Sequence, residues 1–374
     1  MSTVTATRTE LHHRLPGQLH PGAWWLWALA LATAASRTTD PLLLGTILVV
    51  VATVVVHRRT DAPWAQGFRA YLLLALAVVG IRVVFRMLLG GDGGGTVLFT
   101  LPTLTLPDAA AGIELGGAVT AEGVAAAVYD GMRLATMLVC LGAAQVLAHP
   151  RRLLKSVPGA LYEVGTSIVV ALTVAPQLVA SVARVRRARR LRGTPPRGLR
   201  ALRAILVPVL EDALDRAIAL AAAMDSRGYG RTGPAPRRER LITGVLVIGG
   251  LLGVCVGLYG VLDGTAPPTL GLPMFIAGTA VAVCGLLLGG RNVTRTVHRP
   301  VRWTATEWGV VTSGLVSAVV LFQVGTVDAA ALNPSVTALS WPTLQVMPTV
   351  AILVGAAPAM LAPPPPRALA EAAA

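Results

Sequence analysis

The fold is decided by long apolar runs, and residues 41–57, PLLLGTILVVVATVVVH, are typical of them. A membrane-spanning helix needs roughly 20 mostly apolar residues. A shorter run at 23–36 precedes the quoted one, and further runs lie at 70–90, 123–148, 241–262, 270–290, 308–325 and 342–362. The sequence therefore predicts an all-α, polytopic transmembrane protein with about eight spans.

The composition agrees with a membrane protein and excludes an ordinary soluble domain. Of the 374 residues, 54% are hydrophobic and only 13% are charged, whereas a soluble domain usually carries about 25% charged residues. The net charge is +14, and Lys155 is the only lysine among 32 basic residues. Because the arginines lie between apolar runs, they are typical of cytoplasmic membrane loops and give no reason to invoke nucleic acid.

Loop charges predict the orientation of the chain in the bilayer. The loops at 57–69, 149–240 and 291–302 are rich in arginine, whereas the long loop 91–122 contains no lysine or arginine. With eight spans, every arginine-rich loop falls on the cytoplasmic side. We therefore expect a multi-pass protein of the cell membrane with both termini in the cytoplasm.

This topology divides the chain into four regions. Residues 1–148 form an N-terminal transmembrane region with four spans and an outer loop at 91–122. Residues 149–240 form a cytoplasmic module, and residues 241–362 form a C-terminal transmembrane region with four spans. The tail 363–374 begins with four prolines and is expected to be disordered.

Within the cytoplasmic module we predict two amphipathic helices. Residues 164–183 pass as a span on hydropathy alone, but a ninth span would place the basic stretches 149–155 and 184–203 on opposite faces of the membrane. In residues 164–183, the apolar side chains form one stripe of the predicted helix and the polar side chains form another. This pattern favours a helix that lies on the membrane or on other helices. Residues 199–226 repeat this design. Their wetter face carries Glu211, Asp212, Asp215 and Arg216.

Each of these helices ends in an Arg-Gly pair, Arg192-Gly193 and Arg227-Gly228. Glycine can adopt a left-handed conformation that ends a helix and turns the chain away. The preceding arginine then suits the helix dipole and projects from the tip. A helix cap explains one such end, but two on consecutive helices suit a bidentate grip on carboxylates of a partner protein.

These residues resemble the transmembrane T component of energy-coupling factor (ECF) transporters, the family that includes the cobalt-transport membrane subunit. Residues 187–193, RARRLRG, and 222–229, AAMDSRGY, are similar to the family's two short Ala-Arg-Gly-type motifs at the ends of its coupling helices. The resemblance covers about residues 20–262. The chain departs from the usual motif where Leu191 and Ser226 stand in place of alanine.

The resemblance implies a non-catalytic coupling subunit of an ECF-type ABC importer. In such transporters, two ABC-type ATPase subunits bind ATP, and a separate small membrane protein captures a vitamin or a transition-metal ion such as cobalt. Arg192 and Arg227 would insert into the ATPases. Gly193 and Gly228 would end the helices and so fix the direction in which the arginines project. The chain would bind no cofactor itself, and its only lysine lies outside any GxxxxGK[ST] phosphate-binding loop.

Four charged residues lie inside predicted spans. Arg82 and Arg86 share a face of the span 70–90, and Asp130 and Arg133 lie in the span 123–148. Similar depth in the bilayer permits pairing of either of the first two arginines with Asp130. The cluster is compatible with a solute path, with packing between helices, or with arginines that reach the outer interface.

Two other functions stay open at the level of the sequence. A self-contained secondary transporter would need intramembrane carboxylates, and only Asp130 qualifies. A membrane-embedded transferase should carry an acidic metal-binding cluster, to which Asp212 and Asp215 are the nearest approach. The histidines are scattered near span ends and in the polar N-terminal segment, so no metal site is predicted. Gly249-Gly250 and Gly285 are expected to allow close helix packing.

Overall fold

The computed structural model describes residues 19–59, 67–89, 95–105, 114–148, 153, 162–191, 193, 199–229, 236–263, 267, 269–291, 303–336 and 341–363. The chain divides into two compact units, residues 1–153 with 301–374, and residues 154–300. Within the described ranges the chain is helical, apart from one two-stranded sheet. The predicted disordered tail lies, except for residue 363, outside the described residues.

The described part of the chain contains twelve helices and two strands, and both its first and its last helices belong to the first unit. In chain order they are α1 (Pro21–Ser36), α2 (Pro41–Arg58), α3 (Phe68–Leu89), β1 (Val97–Thr105), β2 (Glu114–Thr120), α4 (Ala121–Leu147), α5 (Tyr162–Leu191), α6 (Leu199–Ser226), α7 (Arg237–Leu262), α8 (Leu272–Arg291), α9 (Ala305–Val327), α10 (Ala329–Leu332), α11 (Val346–Val354) and α12 (Pro358–Leu361).

Local capping sets where the first two helices begin. Each helix has proline at its first position, where the missing N–H costs no hydrogen bond. The Asp40 side chain accepts a hydrogen bond from the Leu42 amide at 2.8 Å and caps α2. Burial raises the pKa of this carboxyl, and the amides of Leu42 and Leu43 counter the effect. The loop 37–40 therefore separates two short apolar helices.

The core of the first unit is built where α9 packs against α1. Trp27 is fully buried, and its indole Nε1 donates to the Gly355 carbonyl at 3.0 Å. Gly314 of α9 faces the Trp27 backbone at a distance that leaves little room for a side chain. The Ser317 hydroxyl of α9 donates to the Ala351 carbonyl of α11 at 2.8 Å. The C-terminal helices thus complete a bundle that begins with α1, α2 and α4.

A β-hairpin occupies part of the long loop between α3 and α4. Strands β1 and β2 pair in antiparallel fashion from Val97 opposite Thr120 to Thr105 opposite Glu114. Gly116 has φ +96°, and a Cβ at this position would collide with the Pro102 carbonyl. The hairpin leads directly into α4, where the Thr120 hydroxyl caps the helix by accepting a hydrogen bond from the Gly123 amide.

In the second unit, α7 and α8 form a tightly packed antiparallel pair. Cβ atoms built at Gly250, Gly257 and Gly278 would all collide with backbone of the facing helix. The close packing predicted for Gly250 and Gly285 is therefore present, whereas Gly249 faces open space.

Seven described helices, α2, α3, α4, α5, α7, α8 and α9, are long and apolar enough to cross a membrane. The predicted polytopic, all-α membrane protein is confirmed at this level. The predicted spans differ in detail at two places. The run 23–36 lies in α1, which has only 16 residues, and the run 342–362 is interrupted between α11 and α12 by turns around Gly355. The run 164–183 was assigned from loop charge to an amphipathic helix. It lies in the stretch Val164–Leu191, which also satisfies the length and hydropathy requirement.

Candidate functional site

The helices α5 and α6 leave their last turns in the same way. Gly193 stands two residues beyond the end of α5 with φ +108°, and Gly228 stands two residues beyond the end of α6 with φ +76°. Both values lie in the left-handed region, which glycine adopts without the strain that a Cβ would bring. The left-handed turn that the sequence predicts at both glycines is therefore present.

The end of α6 is a complete Schellman cap. The Gly228 amide donates to the Asp225 carbonyl at 2.9 Å, and the Tyr229 amide donates to the Met224 carbonyl at 3.0 Å. This pair of bonds satisfies carbonyls that the helix end would otherwise leave unpaired. Arg227 lies between the last helical residue and the glycine, and it is exposed.

The tip of α5 is open in the same way. Leu191 is 84% exposed, and Arg189 and Arg190 lie in the last turn. Apart from the glycine itself and its two chain neighbours, no described atom lies within 4 Å of a Cβ built on Gly193 or Gly228. Arg192 lies outside the described residues, so the structure locates three of the four predicted tip residues.

Between the two tips, α5 and α6 are joined through the Asp212 carboxylate of α6. It accepts a hydrogen bond from the Ser181 hydroxyl of α5 at 2.6 Å and pairs with Arg184 of α5 at 3.2 Å. Arg216 of α6 donates to both carboxylate oxygens, at 2.7 and 2.6 Å. The Ser181 hydrogen bond, followed by the two arginines, holds the pKa of Asp212 below its ordinary value.

Sequence reasoning did not identify this link. It assigned Asp212 to the wetter face of α6 and, together with Asp215, named it as the nearest approach to an acidic metal-binding cluster. A signal was nevertheless present in the spacings, since residues three or four apart on a helix are neighbours. These spacings put Ser181 beside Arg184 and Asp212 beside Arg216. The sequence contains no information that brings the two pairs together.

Many apolar side chains of α5 and α6 are exposed among the residues that the structure describes in the second unit. On α5, the polar stripe containing Ser181 faces α6, and the apolar side chains face outward. On α6, apolar side chains that recur every four residues are also exposed. The exposed side chains are Val164, Ile168, Leu172 and Val179 on α5, and Leu202, Leu206, Leu210, Leu214 and Ile218 on α6. Such outward apolar faces suit helices that lie against a bilayer or against another subunit.

Three of the four predicted intramembrane charges come together. Asp130 lies 3.9 Å from Arg82 and 3.8 Å from Arg133, and all three side chains are partly exposed. Arg86 is placed apart from this group, with its guanidinium over Gly123 at the start of α4. Arg82, Asp130 and Arg133 together carry one net positive charge, which opposes the approach of a metal cation. Among the described residues, no group of three His, Cys, Asp or Glu side chains could hold a metal ion.

Comparison with known proteins identifies the family. None of the curated proteins compared with the chain matches it. The sequence profile of the cobalt transport protein family CbiQ matches residues 12–237, which is more than half of the chain. Helices α1 to α6 lie within the match, and α8 to α12 lie beyond it. This result agrees with the resemblance to ECF transporter T components. The chain belongs to the CbiQ family of cobalt transport proteins, and it is a multi-pass membrane protein.

Proposed function

We propose that this chain is the coupling subunit of an ECF-type ABC importer. It would relay the ATP-driven closure of two ATPase subunits to a separate small membrane subunit that binds the solute. The family favours cobalt as that solute, with a vitamin as the other possibility for this class of transporter. The observation that carries the proposal is that each of two long helices is followed, two residues beyond its end, by a left-handed glycine that an arginine precedes in the sequence.

The geometry of the tips suits contact with a partner protein. A glycine that turns the chain away leaves the preceding arginine projecting beyond its helix, and Arg227 is exposed in this position. A guanidinium can bind a carboxylate through two parallel hydrogen bonds, which gives both strength and orientation. Two tips on one chain match two ATPase subunits, one for each tip.

ATP would be bound by these partners, and this chain would bind no cofactor and catalyse no reaction. The 374 residues contain no GxxxxGK[ST] motif, which ATPases of the ABC class use to hold phosphate. In the proposed topology both termini and the module 149–240 face the cytoplasm, where ATP is available. The outward apolar stripes of α5 and α6 would lie against the bilayer or the solute-binding subunit.

The proposal is tested by reversing the charge of both tips in the assembled transporter. We expect Arg192→Glu/Arg227→Glu to reduce co-purification of the ATPases and cellular uptake of radioactive cobalt by at least tenfold. Each lost arginine contact is a charge-assisted hydrogen bond of about 1.5–3 kcal/mol. ATPase co-purification is read by immunoblot, and uptake is read by scintillation counting.

The matched control is Arg203→Glu/Arg238→Glu, which makes the same charge change at two exposed arginines away from the tips. This control should keep co-purification and uptake near the parental level. Normal co-purification and uptake in the tip variant would refute the coupling role. Cobalt uptake by the purified chain alone in liposomes would instead favour a self-contained transporter.

A further inference from the structure

We propose that Asp212 is a positioning residue that fixes the angle at which α5 crosses α6, so that the two tips move as one rigid unit. This inference rests on the proposed function, because it assigns the crossing a role in transmitting motion between the tips. It adds a residue that lies far from both Arg-Gly motifs.

The bonds at the crossing are directional and come from both helices. Ser181 is only 2% exposed, and its hydroxyl donates to Asp212 at 2.6 Å. Arg184 approaches the same carboxylate oxygen from α5. Arg216, one turn further along α6, holds the carboxylate through both of its oxygens. The carboxylate is therefore oriented by its own helix and bonded to the other.

Apolar packing alone would fix this angle weakly. On α6, Val209 is buried, while the side chains before and after the crossing are largely exposed. A short apolar contact permits a range of crossing angles, because dispersion attraction has little dependence on direction. Hydrogen bonds weaken steeply away from their preferred geometry. The Asp212 bonds therefore restrict the angle more than the surrounding contact does.

The helices are long, so a small change in the crossing angle produces a large displacement at their tips. At about 1.5 Å per residue, Asp212 lies about 21 Å from the end of α6, and Ser181 lies about 15 Å from the end of α5. Pro176 and Pro208, the two helix-interior prolines, both lie on the far side of the crossing from the tips. A rotation of about 10° at the crossing would move the tip of α6 by about 4 Å. That displacement exceeds the range of a hydrogen bond.

The link should persist across physiological pH. Ser181 and Arg184 from α5 and Arg216 from α6 face the carboxylate, and together they lower its pKa. An aspartate with a lowered pKa contributes stability above its unfolded value, which is about 3.9, and loses it only as the pH falls through the folded value. The angle should therefore be unchanged between pH 8 and about pH 5.

Distance measurement between the tips tests the inference directly. Nitroxide labels are placed on Leu191→Cys and Tyr229→Cys, both exposed positions, after replacement of the native Cys140, Cys255 and Cys284. We expect Asp212→Asn to broaden the distance distribution measured by pulsed electron paramagnetic resonance by about 4 Å. Asp215→Asn, the same chemical change at an exposed position three residues on, should leave it unchanged.

Activity of the assembled transporter supplies the second readout. With Asp212→Asn, we expect the ATPases to co-purify within twofold of the parental amount, while cobalt uptake per ATP hydrolysed falls at least tenfold. Asp212→Glu should restore most of the coupling, because it keeps the charge. A purely structural defect would instead lower assembly and uptake together.

The outcomes separate this inference from the proposed function. An unchanged distance distribution in Asp212→Asn would overturn the inference, whatever the fate of transport. A broadened distribution together with normal uptake would also overturn it, because the angle would then have no role in coupling. If Asp212→Asn fails to fold, Ser181→Ala and Arg184→Ala remove the donors on α5 and should broaden the distribution in the same direction. Failure of the Arg192/Arg227 test would refute the coupling function while leaving the distance result intact.

Discussion

At the scale of the residue, Glu307 is the clearest case of a charged side chain whose role depends on tertiary structure. It is 0% exposed at the start of α9, and its carboxylate accepts hydrogen bonds from the Thr304 amide and hydroxyl. The same carboxylate accepts from the His20 amide at the start of α1, at 3.3 Å. The Thr304-x-x-Glu307 spacing is readable as a capping box, but the contact with His20 is not readable from the sequence.

We expect Glu307→Ala to lower the free energy of unfolding by about 1–3 kcal/mol. The reason is that it removes the acceptor of the Thr304 and His20 amide hydrogen bonds, which lie at the starts of α9 and α1. The measurement is unfolding of the purified protein in mixed detergent–dodecyl sulfate micelles, followed by circular dichroism.

The control for this prediction is Glu211→Ala, which removes an exposed carboxylate from α6 and should change the free energy by less than about 0.5 kcal/mol. Equal stability of Glu307→Ala and the parent would mean that the buried carboxylate does not join the two helices energetically.

At the scale of the element, the glycines of the α7–α8 pair show which part of a helix contact is predictable from a local pattern and which part depends on packing. The glycines at 249, 250 and 285 predict close helix contact, and the contact is present. However, adjacent residues point about 100° apart on a helix, so two neighbouring glycines cannot both face the same partner. Only the fold assigns Gly250 to the interface and Gly249 to open space.

This difference predicts opposite signs for the same substitution at adjacent positions. Gly250→Ala should destabilise the protein by about 1–3 kcal/mol, because its Cβ would collide with the Ala282 backbone. Gly249→Ala should be neutral or stabilising by up to about 1 kcal/mol, because alanine favours the helix and the site is open. Chemical unfolding of both variants in detergent checks the pair, and equal effects would contradict the assigned packing.

At the scale of the whole molecule, helices beyond the family match complete the bundle within it. The match ends at residue 237, yet α9 and α11 pack back against α1 and α2. Hydropathy counts apolar segments but carries no information on which of them touch. That the chain is a polytopic helical membrane protein was therefore predictable, whereas the return of the C-terminal helices to the first ones was not.

Length and charge give opposite answers on whether α5 crosses the membrane. The helix is long and apolar enough to span it, but its flanking basic residues favour one side. We expect cysteines introduced at Lys155 and Gly193 to be protected from an impermeant thiol reagent applied outside intact cells, and a cysteine at Thr103 to react. The background lacks the three native cysteines, and permeabilised cells provide the control. If the cysteine at Gly193 reacts from outside while the cysteine at Lys155 stays protected, α5 crosses the bilayer.

Local sequence patterns are sufficient to predict a helical, multi-pass membrane protein with two helices that end in an Arg-Gly pair. Both properties are local, since a span depends on about 20 consecutive residues and a glycine cap on one helical turn. The folded structure is needed to show that Asp212 bonds to Ser181, that Glu307 bonds to His20, and that α9 packs on α1. These contacts join residues far apart in the chain, and their proximity depends on how whole helices pack.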